Sequence, residues 1–171
     1  MRGSDAYERW LDGAREADYS AHFNEMLQDL PLPKPIGVAP MDTVRAAIEK
    51  MNGHRVGCVL IGVEGVVSGI FTERDVMQRV ILAGPNALER PVADFMTREP
   101  LCLLGTDRVV HALNAMVEGG YRHVPVLDRR GWSIGVFGMR SFVGYITDLH
   151  PEPILNAPPP GQHYAAQREG A

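Results

Sequence analysis

Apolar and polar positions along this chain switch between two periods, and the switching is run through twice. Val44, Ala47, Ile48 and Met51 recur at helical spacing, and the segments "CVLIGV" and "VVSGIFT" that follow are short apolar runs bounded by turn residues. The first pattern predicts a helix with one apolar face and the second a pair of strands. Downstream the succession returns: Val109, Ala112, Leu113 and Met116 on a helix, then "HVPVLD" and "WSIGVFG". Each unit is led in by a short extended piece (residues 36–39 and 101–104). Each is closed by a second helix, with Val76, Val80 and Ile81 as its apolar positions in one copy and Phe142, Tyr145 and Ile146 in the other. The predicted order is β-α-β-β-α, twice.

The two copies stay in register. Pro35, Asp42, Val44, Ala47 and Met51 match Pro100, Asp107, Val109, Ala112 and Met116 at a spacing of 65. After a one-residue insertion, Gly65, Gly69, Phe71 and Arg74 match Gly131, Gly135, Phe137 and Arg140 at a spacing of 66. Self-similarity of this kind marks a duplicated structural unit. Asp42 and Asp107 are expected to cap the first helix of each unit, since a carboxylate accepts the orphan N–H groups of a first turn. Gly119-Gly120 supplies a stop signal. The division that results is a helical extension and linker over 1–34, one repeat over 35–90, a second over 91–153, and a Pro- and Gly-rich tail over 154–171. Within the extension, residues 5–28 read as a helix with two stripes, Tyr7, Trp10, Leu11 and Ala14, then Phe23, Met26 and Leu27. Such stripes generally pack against their own protein or a subunit.

Composition narrows the class. Across 171 residues, 45% are hydrophobic and 22% charged, the balance of a globular chain with enough apolar residues for a core. A net charge of −4 argues against a dedicated nucleic-acid binder, and only "DRRGW" and its neighbouring arginines pull the other way. No apolar run approaches the roughly 18–20 residues of a membrane span, and the first residues hold no apolar signal core, so the expected location is the cytoplasm. Cys58 and Cys102 form no CxxC, and the six histidines are scattered without metal-ligand spacing. Phosphate-loop, dinucleotide and nucleophile-elbow fingerprints are absent. The residues therefore give an enzyme reading nothing to stand on, and no cofactor is required.

The sharpest signal is "GIFTERDVMQRV" from Gly69 to Val80, echoed by "GVFGMRSFVGYI" from Gly135 to Ile146. In the echo, Gly138 stands where Thr72 stood and Ser141 where Asp75 stood. Together with "VADFMTREP", "GYRHVPVLD" and the lead-in "FNEMLQDLPLPKPI", these segments resemble a tandem of CBS domains, the Bateman module, over about residues 22–156. The resemblance implies an α+β fold of two β-α-β-β-α repeats packed in a pseudo-two-fold arrangement. It also implies a regulatory, ligand-sensing module without catalysis of its own, binding adenosine compounds and pairing into a homodimer. A separate effector protein would receive the signal.

Thr72-Glu73-Arg74-Asp75 fits a capping box, in which hydroxyl and carboxylate satisfy N–H groups at a helix start. The resemblance assigns the same residues to a ligand: the Thr72 hydroxyl to phosphate and the Asp75 carboxylate to ribose hydroxyls. An acceptor-only carboxylate suits two hydroxyl donors and suits phosphate badly. The family builds each cleft from both repeats. The first cleft then pairs Ile70, Thr72, Arg74 and Asp75 with Leu101, Cys102, Tyr121, Arg122 and His123. Arg122 has solvent or a carboxylate as its ordinary alternative, and His123 a plain structural place. The second cleft pairs Val136, Gly138 and Ser141 with Ile36, Gly37, Val56 and Gly57, and is expected to lack the hydroxyl, the carboxylate and both basic groups. The expected ligand is an adenine nucleotide (AMP, ADP or ATP), with S-adenosylmethionine after it. The alternative is a constitutive dimerisation or scaffold module whose ligand sites are vestigial.

Overall fold

The structure, a computed structural model, describes residues 22–63, 65–149, 151 and 154. The predicted stripe from Tyr7 to Ala14 and the tail beyond Ile154 lie outside them. The first unit contains strand β1 (Gly37–Val38), helix α1 (Val44–His54), and strands β2 (Cys58–Val63) and β3 (Val66–Thr72). Helix α2 follows over residues 73–83, an α-helical turn Glu73–Asp75 running into a π-helical segment Val76–Val80 and a 3₁₀ turn Ile81–Ala83. A short strand β4 (Thr97–Arg98) precedes the second unit, which contains β5 (Leu103–Leu104), α3 (Val109–Gly119), β6 (His123–Leu127), β7 (Ser133–Gly138) and α4 (Met139–Leu149). The predicted order is present in both copies.

Each unit makes a small mixed sheet. β1 lies parallel to β2, which pairs antiparallel with β3, and β3 with β4. In the second sheet β5 lies parallel to β6, which pairs antiparallel with β7. Helices cover one face of each. Val44, Ala47 and Met51 pack there on Val59, Ile61 and Phe71; Val109, Ala112 and Met116 pack on Val124, Val126 and Phe137. The opposite face of β2 and β3 turns Cys58, Leu60 and Ile70 toward Val136 of the other unit, an apolar seam between the repeats. Strands buried on both faces explain why "CVLIGV" reads as a continuous apolar run instead of an alternation.

The lead-in to each unit serves the other unit. Val109 N–H donates to Glu25 O (3.0 Å) and Val44 N–H to Arg90 O (3.0 Å). Leu27 N–H donates to Asp107 O (2.9 Å), and Val92 N–H to Asp42 O (2.8 Å). Leu27 and Val92, at matching positions ahead of the two units, are both fully buried. Leu27 fills the core of the second unit and Val92 that of the first. Further along, Arg98 and Thr97 pair with Gly69 and Ile70, while Val136 N–H donates to Pro33 O (3.3 Å). The chain therefore crosses the seam on its way into each repeat.

Three sequence expectations are corrected. Helix α1 is capped by Thr43, whose hydroxyl accepts from Ala46 N–H (3.2 Å), and not by Asp42. Asp42 and Asp107 instead close the turn ahead of each helix, accepting from Ala39 N–H (2.9 Å) and Leu104 N–H (2.8 Å). Ile81 is 65% exposed, because the π-helical segment, where Ile81 N–H donates to Val76 O, adds a residue to the turn and rotates Ile81 off the core face. Residues 22–24 and 27–29 form separate 3₁₀ turns, not one helix, with an extended Met26 between them. The interruption lets the Met26 backbone bridge to Arg108.

Candidate functional site

A cleft of about 310 Å³ opens where α2 starts, lined by Ile70, Thr72, Arg74 and Asp75 of the first unit and Leu101, Tyr121, Arg122 and His123 of the second. Eight of the nine residues picked out for the first cleft thus meet in one concavity. Cys102 does not line it, because its thiol turns back to the carbonyl of Pro100 (3.3 Å). The crossing of the seam brings the two sets together. β4 pairs with β3 beside Ile70, so the residues that follow it, Glu99 to Leu101, run across the mouth. Glu99 holds a left-handed φ of 46°, a conformation uncommon for a residue with a side chain.

The start of α2 is a complete capping box. Asp75 Oδ2 accepts from Thr72 N–H (2.9 Å) and from the Thr72 hydroxyl (2.8 Å), and Asp75 N–H donates to Thr72 Oγ1 (3.4 Å). Asp75 Oδ1 pairs with Arg79 Nη1 at 3.1 Å. Among the described residues Asp75 is the buried charged side chain, and its partners are what make that burial tolerable. Arg74 reaches across the seam to donate to Gly120 O (3.1 Å). Tyr121 lies back over the end of α3, where a Cβ on Gly119 would overlap its ring, so a larger residue there would displace the tyrosine.

Sequence reasoning missed several lining residues: Gly57, Glu73, Gln78, Arg79, Thr97 and Glu99. Charge in the cleft is balanced, three carboxylates (Glu73, Asp75, Glu99) against three guanidinium groups (Arg74, Arg79, Arg122). Arg79 was signalled by its place four residues after Asp75, the spacing at which helical side chains pair. Glu99 and Thr97 carried no such signal, since they enter only through β4.

A second cleft, of about 670 Å³, lies on the other side of the seam. Ile36, Val56, Gly57, Val136, Gly138 and Ser141 line it as expected, whereas Gly37 does not. Its predicted lack of basic groups is wrong: Lys34, Arg55 and Arg140 all line it. Lys34 and Arg55 come from positions whose matches are not basic, whereas Arg140 matches Arg74 of the first cleft and was legible from the repeat. Lys34 matches Glu99, and Arg55, the left-handed residue (φ 54°) that ends α1, matches Gly120, the left-handed residue that ends α3. Ser141 and Gly138 stand in place of the motif's carboxylate and threonine, but the cleft does not lack a carboxylate, because Glu73 of the first unit lines it.

His123, Gly57 and Glu73 belong to both clefts and form their common wall. A Cβ on Gly138 would meet His123 Cδ2 and Arg122 O, each at 3.2 Å. Gly138 thus makes room for an imidazole that its counterpart Thr72 does not face. Burial pulls the His123 pKa below its ordinary value, with the Glu73 carboxylate opposing and the Arg122 guanidinium adding to the shift. Burial likewise pushes the Cys58 thiol, on the wall of the second cleft, up to about 12.

Two interlocked sheets with helices outside, clefts on either side of a seam, and a duplicated Gly-apolar-Phe strand leading into a helix identify the fold. The sequence matches the CBS domain family over residues 27–82 and again over 92–148. The chain belongs to the CBS domain family. As a CBS pair it is 37% identical over 120 residues to the meiotically up-regulated gene 70 protein of Schizosaccharomyces pombe. That match covers 70% of this chain and only 16% of the yeast protein's length. Among solved structures, the CBS-domain containing protein ATU1752 from Agrobacterium tumefaciens superimposes with a TM-score of 0.64 at 27% identity, covering 70% of this chain and 98% of that one. The CBS domain protein PAE2072 from Pyrobaculum aerophilum, solved in complex with AMP, does so with a TM-score of 0.65 at 22% identity, covering 74% and 99%. No helix among the described residues is long and apolar enough to cross a membrane.

Proposed function

We propose that this CBS pair is a regulatory module whose first cleft binds an adenosine-containing ligand, adenine nucleotides ahead of S-adenosylmethionine. The observation that carries the reading is the convergence of Asp75, Arg122 and apolar Ile70, Leu101 and Tyr121 on one cleft built from both repeats. Leu101 and Tyr121 are 45% and 44% exposed, apolar surface that a planar base would cover. Asp75 supplies the acceptor for ribose hydroxyls, while Arg74 and Arg122 supply positive charge for phosphate. Thr72 contributes less than the family pattern implies, because its hydroxyl proton is committed to Asp75. AMP in the structurally similar Pyrobaculum protein supports the ligand class. Binding acts as a signal only if the ligand favours one conformation over another, and a ligand spanning residues of both repeats is placed to do so.

A second reading, a constitutive homodimeric scaffold, rests on exposed apolar faces. Met77 with Ile81 on α2, Val110 with Val117 on α3, and Met139 with Val143 on α4 all lie open at helical spacing. The two readings part in a thermal-shift and calorimetry series with AMP, ADP, ATP, S-adenosylmethionine and free adenine. At a hundred times its dissociation constant, a ligand adds about 2.7 kcal/mol to stability. The sensor reading expects a shift with the nucleotides, none with adenine, and a smaller shift in Asp75→Asn. No shift with any ligand, together with a dimer by sedimentation, would put the scaffold in its place.

A further inference from the structure

Asp75 has less to offer a ligand than its place in the cleft suggests. A carboxylate presents about four lone-pair directions. Oδ2 already receives the N–H and the O–H of Thr72, and Oδ1 receives Arg79 Nη1. That leaves about one direction, on Oδ1, where a vicinal diol brings two hydroxyl groups. Asp75 can accept from one of them without breaking the cap that starts α2.

Arg79 stands where the other hydroxyl would need a partner. It lines the same cleft and sits against the oxygen that Asp75 has left over. Its Nη1 is held twice, by Asp75 (3.1 Å) and by the carbonyl of Phe95 (2.8 Å), which fixes the guanidinium. A guanidinium carries five N–H donors, and those on Nη2 and Nε remain for a ligand. A hydroxyl accepts as readily as it donates, so the group that Asp75 cannot serve can accept from Arg79. The second unit strengthens the case. At a spacing of 66 Ser141 replaces Asp75; past the extra residue of the π-helical segment the spacing returns to 65, so core Tyr145 matches core Val80 and Gly144 stands in place of Arg79. Acid and guanidinium are present together in one unit and lost together in the other.

We infer that Arg79 is a second sugar-reading residue of the first cleft: Asp75 accepts from one ribose hydroxyl while the Arg79 guanidinium donates to its neighbour. The inference rests on the adenosine reading above. It makes the Asp75–Arg79 pair a selector for an intact vicinal diol, rejecting deoxyribose at either carbon.

The test is calorimetry on the full chain with AMP, 2′-deoxy-AMP, 3′-deoxy-AMP and 2′,3′-dideoxy-AMP, using the wild type, Asp75→Asn, Arg79→Met and Arg79→Lys. Each missing hydroxyl should weaken wild-type binding about tenfold. In Arg79→Met, AMP should bind about tenfold more weakly, with one deoxy penalty gone and the other kept. Asp75→Asn should erase the opposite penalty, and Arg79→Lys should recover part of what Arg79→Met loses. If Arg79→Met keeps both penalties at wild-type size, or loses both together, Arg79 only pins the carboxylate and the inference is overturned while the adenosine reading stands. If the wild type binds AMP and the dideoxy analogue alike, or neither, the adenosine reading falls and takes the inference with it.

Discussion

Gly57 of one repeat and His123 of the other face each other across the seam, where a Cβ on Gly57 would lie 2.9 Å from His123 Cε1 and 3.1 Å from Nε2. One repeat keeps the imidazole and the other keeps the space for it. Gly138 flanks the same ring, so the loss of threonine from the second copy of the motif has a packing reason as well as a chemical one.

This contact predicts a strong coupling. Gly57→Ala should destabilise the protein by about 1–3 kcal/mol, the ordinary cost of overfilling a packed site. Combined with His123→Ala, the same change should cost much less. A denaturant double-mutant cycle measures the difference, and additivity within about 0.5 kcal/mol would show that the ring simply swings away.

His123 also predicts a pH dependence. Its pKa is lowered in the fold, first by burial, from an ordinary value of 6.5, so the unfolded chain binds the proton more readily than the folded one. Stability must then fall as pH drops through that ordinary value, and the contribution is fully present above it. Melting curves from about pH 8 to 5 should fall less steeply for His123→Asn than for the wild type. Parallel curves would mean that the imidazole does not titrate differently on folding.

Asp75 has a structural role before any ligand arrives. Asp75→Ala strands the Thr72 N–H and removes one of the two partners of Arg79, and should cost about 1–3 kcal/mol without ligand. Asp75→Asn keeps an acceptor for Thr72 and should cost less. Denaturant titration of the two variants distinguishes them, and equal losses would deny the cap its contribution. Binding experiments therefore belong with the asparagine variant.

Leu27 precedes the first repeat in sequence and sits in the core of the second. Leu27→Ala should cost about 2–5 kcal/mol, as for other fully buried leucines. Hydrogen exchange should show the loss of protection first in α3 and β6, not in α1 and β2. Loss beginning in the first repeat would contradict the crossing described above.

The fold was legible because duplication makes each apolar position appear twice. Val44 with Val109 and Phe71 with Phe137 confirm each other in a way that one stripe cannot. The first cleft was legible because its residues cluster in two short segments, Ile70 to Asp75 and Tyr121 to His123. What stayed hidden came from geometry that periodicity does not encode. The π-helical insertion that exposes Ile81, the left-handed end of α1 at Arg55 beside the second cleft, and the strand pairing that carries Glu99 to the first are each set by tertiary contacts. The capping aspartates failed for a local reason: at Asp42 the competing acceptance from Ala39 N–H won, and Thr43 was there to cap instead.

The crossed lead-ins bear on how such a chain could arise. A single ancestral unit would have carried its own lead-in ahead of it, and that lead-in completes a neighbour's helix, not its own. Alone, such a unit would be left with an unfilled socket and an unused plug, and two copies would satisfy both needs at once. On this geometry each half depends on the other for a core residue, Leu27 filling the second unit and Val92 the first. The two halves differ at the motif itself, with Asp75 in one and Ser141 at the matching position of the other.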